Sequence, residues 1–443
     1  MPKFYKTLLK IAIPVTLQSM LQASFSIIDQ VMIGQLGEAS ISSVGLCGNF
    51  TLIFTVIIGA VSTVAGILMA QFIGSDAKME AWCSFWVSLL TSIIISSLFF
   101  LSSFLFTKNI LGLYTKDVDV ILVGQIYFKI ISFTYIPMAI ANIVSSYLRC
   151  NEHATIPFIS SFISVLINTS LNYIFIFNYD LGIKGAALAT LISQLVNLLF
   201  IIIGFVYITR KDKLIVCLKF NKLSLNDYLI MIFPILISEF LWSLGQNVES
   251  SIYGHLSTYS LAAYTLTCPI QGLFVGALSG LSAAAAIMIG KQLGKKDYDG
   301  AYNDSKKIMY LGLVLSICIS LILMIFAGNY TNLYKVDDYV KVIGRAILIV
   351  FALYAPIKVE NMILGGGIIR SGGNTKLIMI IDIIGTWCVG IPLCLIATYI
   401  FKWDIVGIYA LLTTEEVFRL IVSLIVFKKR KWLISLSWLL FFY

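Results

Sequence analysis

Charged residues make up only 12% of these 443 residues, about half the share of an average soluble protein. There are just two histidines, and none of the eight cysteines forms a C-x-x-C pair, so no metal-binding spacing is present. The chain also lacks G-x-x-x-x-G-K-[ST], H-E-x-x-H and G-x-S-x-G. Those absences remove an ATP-binding loop, a zinc peptidase helix and a serine-hydrolase elbow. No catalytic residue is expected, and neither a metal nor any other cofactor beyond a transported ion. What fills the space is apolar: 59% of residues are hydrophobic, and the mean hydropathy is +0.95. A soluble domain cannot bury that much apolar surface, and disorder requires the opposite composition. Long unbroken runs such as Ser92–Phe106 and Leu195–Ile208 exclude the alternating strands of a membrane β-barrel. The expected class is an all-α polytopic membrane protein.

Apolar runs of about 20 residues or more give twelve expected transmembrane helices, from about 8–33 to 405–427. Threading them through a bilayer puts 21 Lys and Arg on one face and 7 on the other, with Lys129, Lys358 and Arg419 inside spans. The positive-inside rule then places both termini in the cytoplasm. It also accounts for most of the net charge of +9 without a nucleic-acid partner.

The chain repeats itself at an offset of 220. Pro14 matches Pro234, Gly34 matches Gly254, Gly74 matches Gly294, and Asp29 falls opposite Glu249. With one residue of drift, Pro137 matches Pro356 and Arg149 matches Arg370. The reading is two six-helix lobes: 1–209 (helices 1–6) and 224–428 (helices 7–12), joined by a basic linker, 210–223. The tail, 429–443, is too short to cross and is expected to lie at the membrane interface. Two lobes of equal orientation are the plan of parallel-repeat transporters, with a site near the bilayer midplane.

At this point the chain resembles the multidrug and toxic compound extrusion (MATE) cation antiporters, bacterial type, along essentially its whole length. The stretches that carry the resemblance are Pro14–Gly37, Gln71–Ala81, Asn168–Phe177, Lys184–Thr190, Ile289–Ala301 and Ile369–Thr375. It implies twelve helices in two V-shaped lobes in a bacterial cell membrane. It also implies export of amphipathic organic cations, by a functional monomer, against inward H⁺ or Na⁺. A lipid-linked oligosaccharide flippase of the same superfamily is the nearest alternative. A membrane-embedded lipid transferase is a remoter one that would be unlikely to show the two-lobe repeat.

An ionised acid at the centre of a membrane helix costs about 2.5–3.5 kcal/mol on insertion scales, so such residues mark partners, ions or protons. Five are expected inside spans: Asp29, Glu239, Glu249, Glu360 and Asp382. Asp29 has no base near it in its own helix. Asn168 and Asn172, four apart, share a helix face, and Thr190 adds a hydroxyl. The resemblance makes these four the N-lobe cation-coupling cluster. In the C-lobe, Glu239 lies three residues before Trp242, pairing charge with an aromatic face. Better-known relatives carry their C-lobe acids at the positions of Trp242 and Val359, so a site here is displaced. Glu249, Glu360 and Asp382 complete the C-lobe candidates. Tyr135 and Trp387 are expected in a substrate cavity. Pro14, Pro137, Pro234 and Pro356, placed inside spans, are expected as bends or hinges.

Overall fold

The computed structural model describes residues 3–210, 225–334 and 336–436. The linker reading for 211–223 and the last part of the tail, 437–443, fall outside the described residues. Among those described there is no strand. Among the described residues, ten helices are long and apolar enough to cross a membrane, or eleven if one bent pair counts as a single span. The chain is a multi-pass membrane protein.

Contacts divide it into two compact units. Unit 1, Met1–Met69 with Ala77–Ser224, holds α1 (Lys3–Gly34), most of α2 (Glu38–Gly74), α3 (Lys78–Leu105), the short α4 (Thr107–Tyr114), α5 (Val118–Ser132), α6 (Tyr135–Cys150), α7 (Thr155–Tyr173) and α8 (Gly182–Thr209). Unit 2, Leu225–Tyr443 with Ala70–Asp76, holds α9 (Leu225–Leu256), α10 (Thr258–Gly294), α11 (Tyr298–Asn332), α12 (Asp338–Asn361), α13 (Thr375–Ile383), α14 (Ile391–Leu395), α15 (Ile405–Leu412) and α16 (Thr414–Lys428). The expected last span is thus the pair α15 and α16, interrupted at Thr413.

The repeat is structural as well as sequential. In unit 1, α1 packs on α7 and α3 on α6; in unit 2, α9 packs on α13 and α11 on α12. Polar ties recur with it. Gln18 donates to Ser161 at 2.8 Å, and its repeat mate Ser238 donates to Asp382 at 2.7 Å. Arg149 donates to Gln18 at 2.7 Å, and Arg370 pairs with Glu239 at 3.6 Å.

Three of the expected prolines do lie inside helices: Pro14 in α1, Pro234 in α9 and Pro356 in α12. Pro137 does not. It occupies the first turn of α6, where its missing N–H would have no helical partner anyway. The 42° bend between α5 and α6 precedes it, at Phe133–Thr134. A fifth proline, Pro269, sits inside α10.

Regular helix gives way to wider π turns at Ile174–Asn178 after α7, and at Met362–Ile369, Ile384–Gly390 and Ile396–Ile400 in unit 2. Such turns leave the backbone ladder locally mismatched and are frequent at functional sites.

Candidate functional site

Three helices of unit 1 bring the predicted N-lobe residues together. Asn172, on α7, donates to Asp29 of α1 at 2.7 Å and to Asn168 one turn away at 2.8 Å. Asn168 passes the chain on to α8, donating to Ser193 at 3.2 Å and Thr190 at 3.4 Å. Thr190 and Ser193 end it by donating to backbone carbonyls of their own helix. The four-residue spacing of the two asparagines produces this ladder, because it stacks them on one face of α7. Both asparagines are buried, and Asn172 Oδ1 has no hydrogen-bond partner. One carboxylate and a free amide oxygen therefore sit within one polar group of each other. That donor set, all oxygen, suits a proton or a hard monovalent cation. Nearby, Tyr127 of α5 is buried within the electrostatic reach of Asp29.

Tyr135 does not line an open cavity. It is 0% exposed, with its ring 4.6 Å from Phe54 and its hydroxyl 3.1 Å from Thr51. Its place at the head of α6, past the bend, turns it into the packed core of the unit rather than outward.

Unit 2 spreads the C-lobe candidates. Glu239 is tied to Arg370, and Trp242, expected beside it on the same face, is 45% exposed. Asp382 accepts from Ser238, and Trp387 donates its indole N–H to the carbonyl of Leu241 at 3.2 Å. Glu360 is buried with one carboxylate oxygen unpartnered. Lys358, two residues before it, pairs with Glu416 at 3.8 Å instead.

Glu249 belongs to a cluster that the sequence reading missed in part. The charges acting on it come from Glu415, Lys358, Arg419 and Glu416, and Gln246 donates to it at 3.3 Å. Arg419 pairs with Glu415 at 3.4 Å and donates to Thr386. Asn361 donates to Glu416 at 2.8 Å. The sequence reading overlooked Glu415 and Glu416 by treating 405–427 as an apolar run, so its five acids within spans omit both. Their signal was present: Glu415 and Arg419 are spaced i,i+4 in a helix, the ion-pair spacing. Gly385, inside the wide turn Ile384–Gly390, makes room for the arginine; a Cβ there would meet its side chain. Three carboxylates face two cations, and Glu249 Oε1 and Glu415 Oε2 are both unpartnered. Close by, Tyr253, Tyr264 and Tyr409 pack ring against ring, with centroids 4.9 and 6.2 Å apart.

With this geometry in view, comparison with known proteins defines the class. The MatE family pattern matches residues 14–174 and 234–396, one copy in each half of the chain. The chain therefore belongs to the MatE family: it is a membrane transporter, not an enzyme. Among curated relatives, it is 23% identical to a probable multidrug resistance protein NorM of Thermotoga maritima, over 97% of this chain and 94% of that one. It is 24% identical to human multidrug and toxin extrusion protein 1, over 98% of this chain and 75% of that one. Its fold is similar to that of the Vibrio cholerae MATE transporter VcmN, with a TM-score of 0.88, 19% identity and 96% of each chain covered.

Proposed function

We propose that this protein exports amphipathic organic cations in exchange for H⁺ or Na⁺, and that the coupling ion binds at Asp29. One observation carries the reading: a carboxylate in a membrane helix whose hydrogen-bond partner is an amide, Asn172, with a further amide oxygen left free beside it. An ion or proton arriving there neutralises a charge that the membrane otherwise penalises. Glu249, with the neighbouring tyrosines, supplies the C-lobe's negative charge and aromatic surface for cationic cargo. Glu239 has its charge answered by Arg370. Both termini and the basic linker face the cytoplasm, and the protein works as a monomer. The names of relatives that handle drugs and toxins support the cargo class.

The test uses purified protein in liposomes loaded with ethidium, under a pH gradient or a Na⁺ gradient imposed separately. Efflux is expected to follow one of the two gradients and to vanish in Asp29→Asn while the variant remains folded. Ethidium efflux by Asp29→Asn at the wild-type rate would overturn the assignment of Asp29.

A further inference from the structure

α2 and α10 are each 37 residues long. At 1.5 Å per residue that is about 55 Å, well beyond the ~30 Å hydrocarbon layer, so both run past the membrane. Their ends meet inside unit 2, which takes in Ala70–Asp76 of α2. The meeting is reciprocal. A Cβ on Gly74 would strike the carbonyl of Lys291, and a Cβ on Gly294 would strike the carbonyl of Gln71. Gly74 and Gly294 are repeat mates, and so are Gln71 and Lys291, at the same offset of 220. The two backbones touch at these glycines, and only the small Ala70 methyl packs beside them, at Gly290.

The chain's last described residues supply a further hold. After the basic run Lys428–Lys431 the backbone turns back, with Arg430 at a φ of +56°. Arg430 anchors on α11, reaching Asp299 at 2.9 Å and lying over the Tyr302 ring at 4.2 Å. Trp432 follows at 0% exposure. Its ring stacks on Phe427 at 5.5 Å, and Phe427 stacks on Tyr302 at 4.7 Å. The carbonyl of Trp432 lies where a side chain on Gly372 would be, and the Leu436 side chain abuts Gly373. The strap then closes on α2: the backbone N–H of Leu436 donates to Gln71 Oε1 at 2.6 Å. Gln71 Nε2 in turn donates to the carbonyls of Ser371, at 2.7 Å, and Ile434, at 3.3 Å. The start of the tail, expected at the membrane interface, is thus packed against the protein at Trp432, Ser435 and Leu436.

We infer that Trp432–Leu436 is a releasable latch that holds the end of α2 docked in unit 2, and that transport requires it to let go. Two of the three side-chain hydrogen bonds on Gln71 come from the strap itself, so its departure leaves the end of α2 with only the bond to Ser371 and the glycine contacts. A segment this short, with no regular helix of its own, has few bonds to break on leaving. The inference does not depend on the coupling ion or cargo proposed above.

Hydrogen–deuterium exchange on the purified full-length protein tests the docking. Three variants are compared with wild type: truncation after Lys431, Leu436→Pro, which removes the donor, and Gln71→Leu. Amide exchange in 66–76 and 289–297 is expected to rise about ten-fold or more, equivalent to about 1.4 kcal/mol. Wild-type exchange in the truncated protein and in Gln71→Leu would overturn the latch. The need for release is tested separately by bridging Gln71→Cys to Leu436→Cys with a short bis-maleimide in a cysteine-depleted protein. The bridged protein is expected to lose turnover. Undiminished turnover with the bridge in place would show a static anchor instead.

Discussion

The two halves of this transporter share a frame but not an interior. Each ties its first helix to a later one through a polar pair, Gln18–Ser161 between α1 and α7 and Ser238–Asp382 between α9 and α13. Each also brings an arginine, Arg149 or Arg370, onto that first helix. Beyond this the halves part. Unit 1 surrounds its acid with neutral amides and hydroxyls. The repeat positions of Asn168 and Asn172 are Cys388 or Val389 and Pro392 or Leu393, so the ladder has no copy in unit 2. There, the repeat mate of Asp29 is Glu249, and it lies among ions instead: Glu415, Glu416, Lys358 and Arg419. A carboxylate held by amides can gain or lose a cation with little else changing. One embedded among ions of both signs has its field set by neighbouring side chains of the protein itself. The same helical frame therefore holds a carboxylate among amides in one lobe and a carboxylate among ions in the other.

This contrast predicts unequal sensitivities. Arg419→Leu is the most damaging change expected: it strands Glu415 in the interior and should cost about 3–5 kcal/mol. Denaturant unfolding in detergent measures it, and a cost under about 1 kcal/mol would mean that the cluster is solvated after all. Gly294→Ala comes next, since overpacking against the Gln71 carbonyl should cost about 1–3 kcal/mol. A neutral result in the same assay would place the two backbones further apart than described. Asn168→Ala removes donors to Ser193 and Thr190. At about 0.6 kcal/mol per membrane hydrogen bond, its stability loss should stay near 1–2 kcal/mol while gradient-driven efflux falls much more. Efflux that follows folded yield alone would reduce the ladder to structure. Ser238→Ala, which breaks one bond to Asp382, should cost about 0.6 kcal/mol and leave turnover unchanged. A large transport defect there would bring Asp382 into the mechanism.

The N-lobe hydrogen-bond ladder was legible because its signals are local. Two asparagines four apart must share a helix face, and a lone aspartate in an apolar run must find something polar. The repeat was equally plain, since proline, glycine and acidic positions keep one register. The C-lobe cluster was hidden for the complementary reason. Its members come from four separate segments, and no spacing within one helix announces that Glu249, Lys358, Thr386 and Arg419 converge. Glu239 and Trp242 share a helix face as their spacing requires, yet Arg370 arrives from elsewhere and answers the charge. Tyr135 misled similarly: an aromatic in a span looks the same in sequence whether it faces a cavity or, as here, Phe54 and Phe99. The docking of Trp432–Leu436 was not legible because the receiving positions, Gly372, Gly373 and Gln71, lie far away in sequence.

The most direct test compares Asp29→Asn with Glu249→Gln in the same liposomes, counting cations moved per ethidium exported and normalising to folded protein. If the exchangeable site is in unit 1, Asp29→Asn abolishes the dependence of efflux on the imposed gradient, and Glu249→Gln keeps it, with weaker ethidium affinity. Gradient dependence that survives Asp29→Asn and disappears in Glu249→Gln would contradict this, and would place the coupling site in the charged cluster of unit 2.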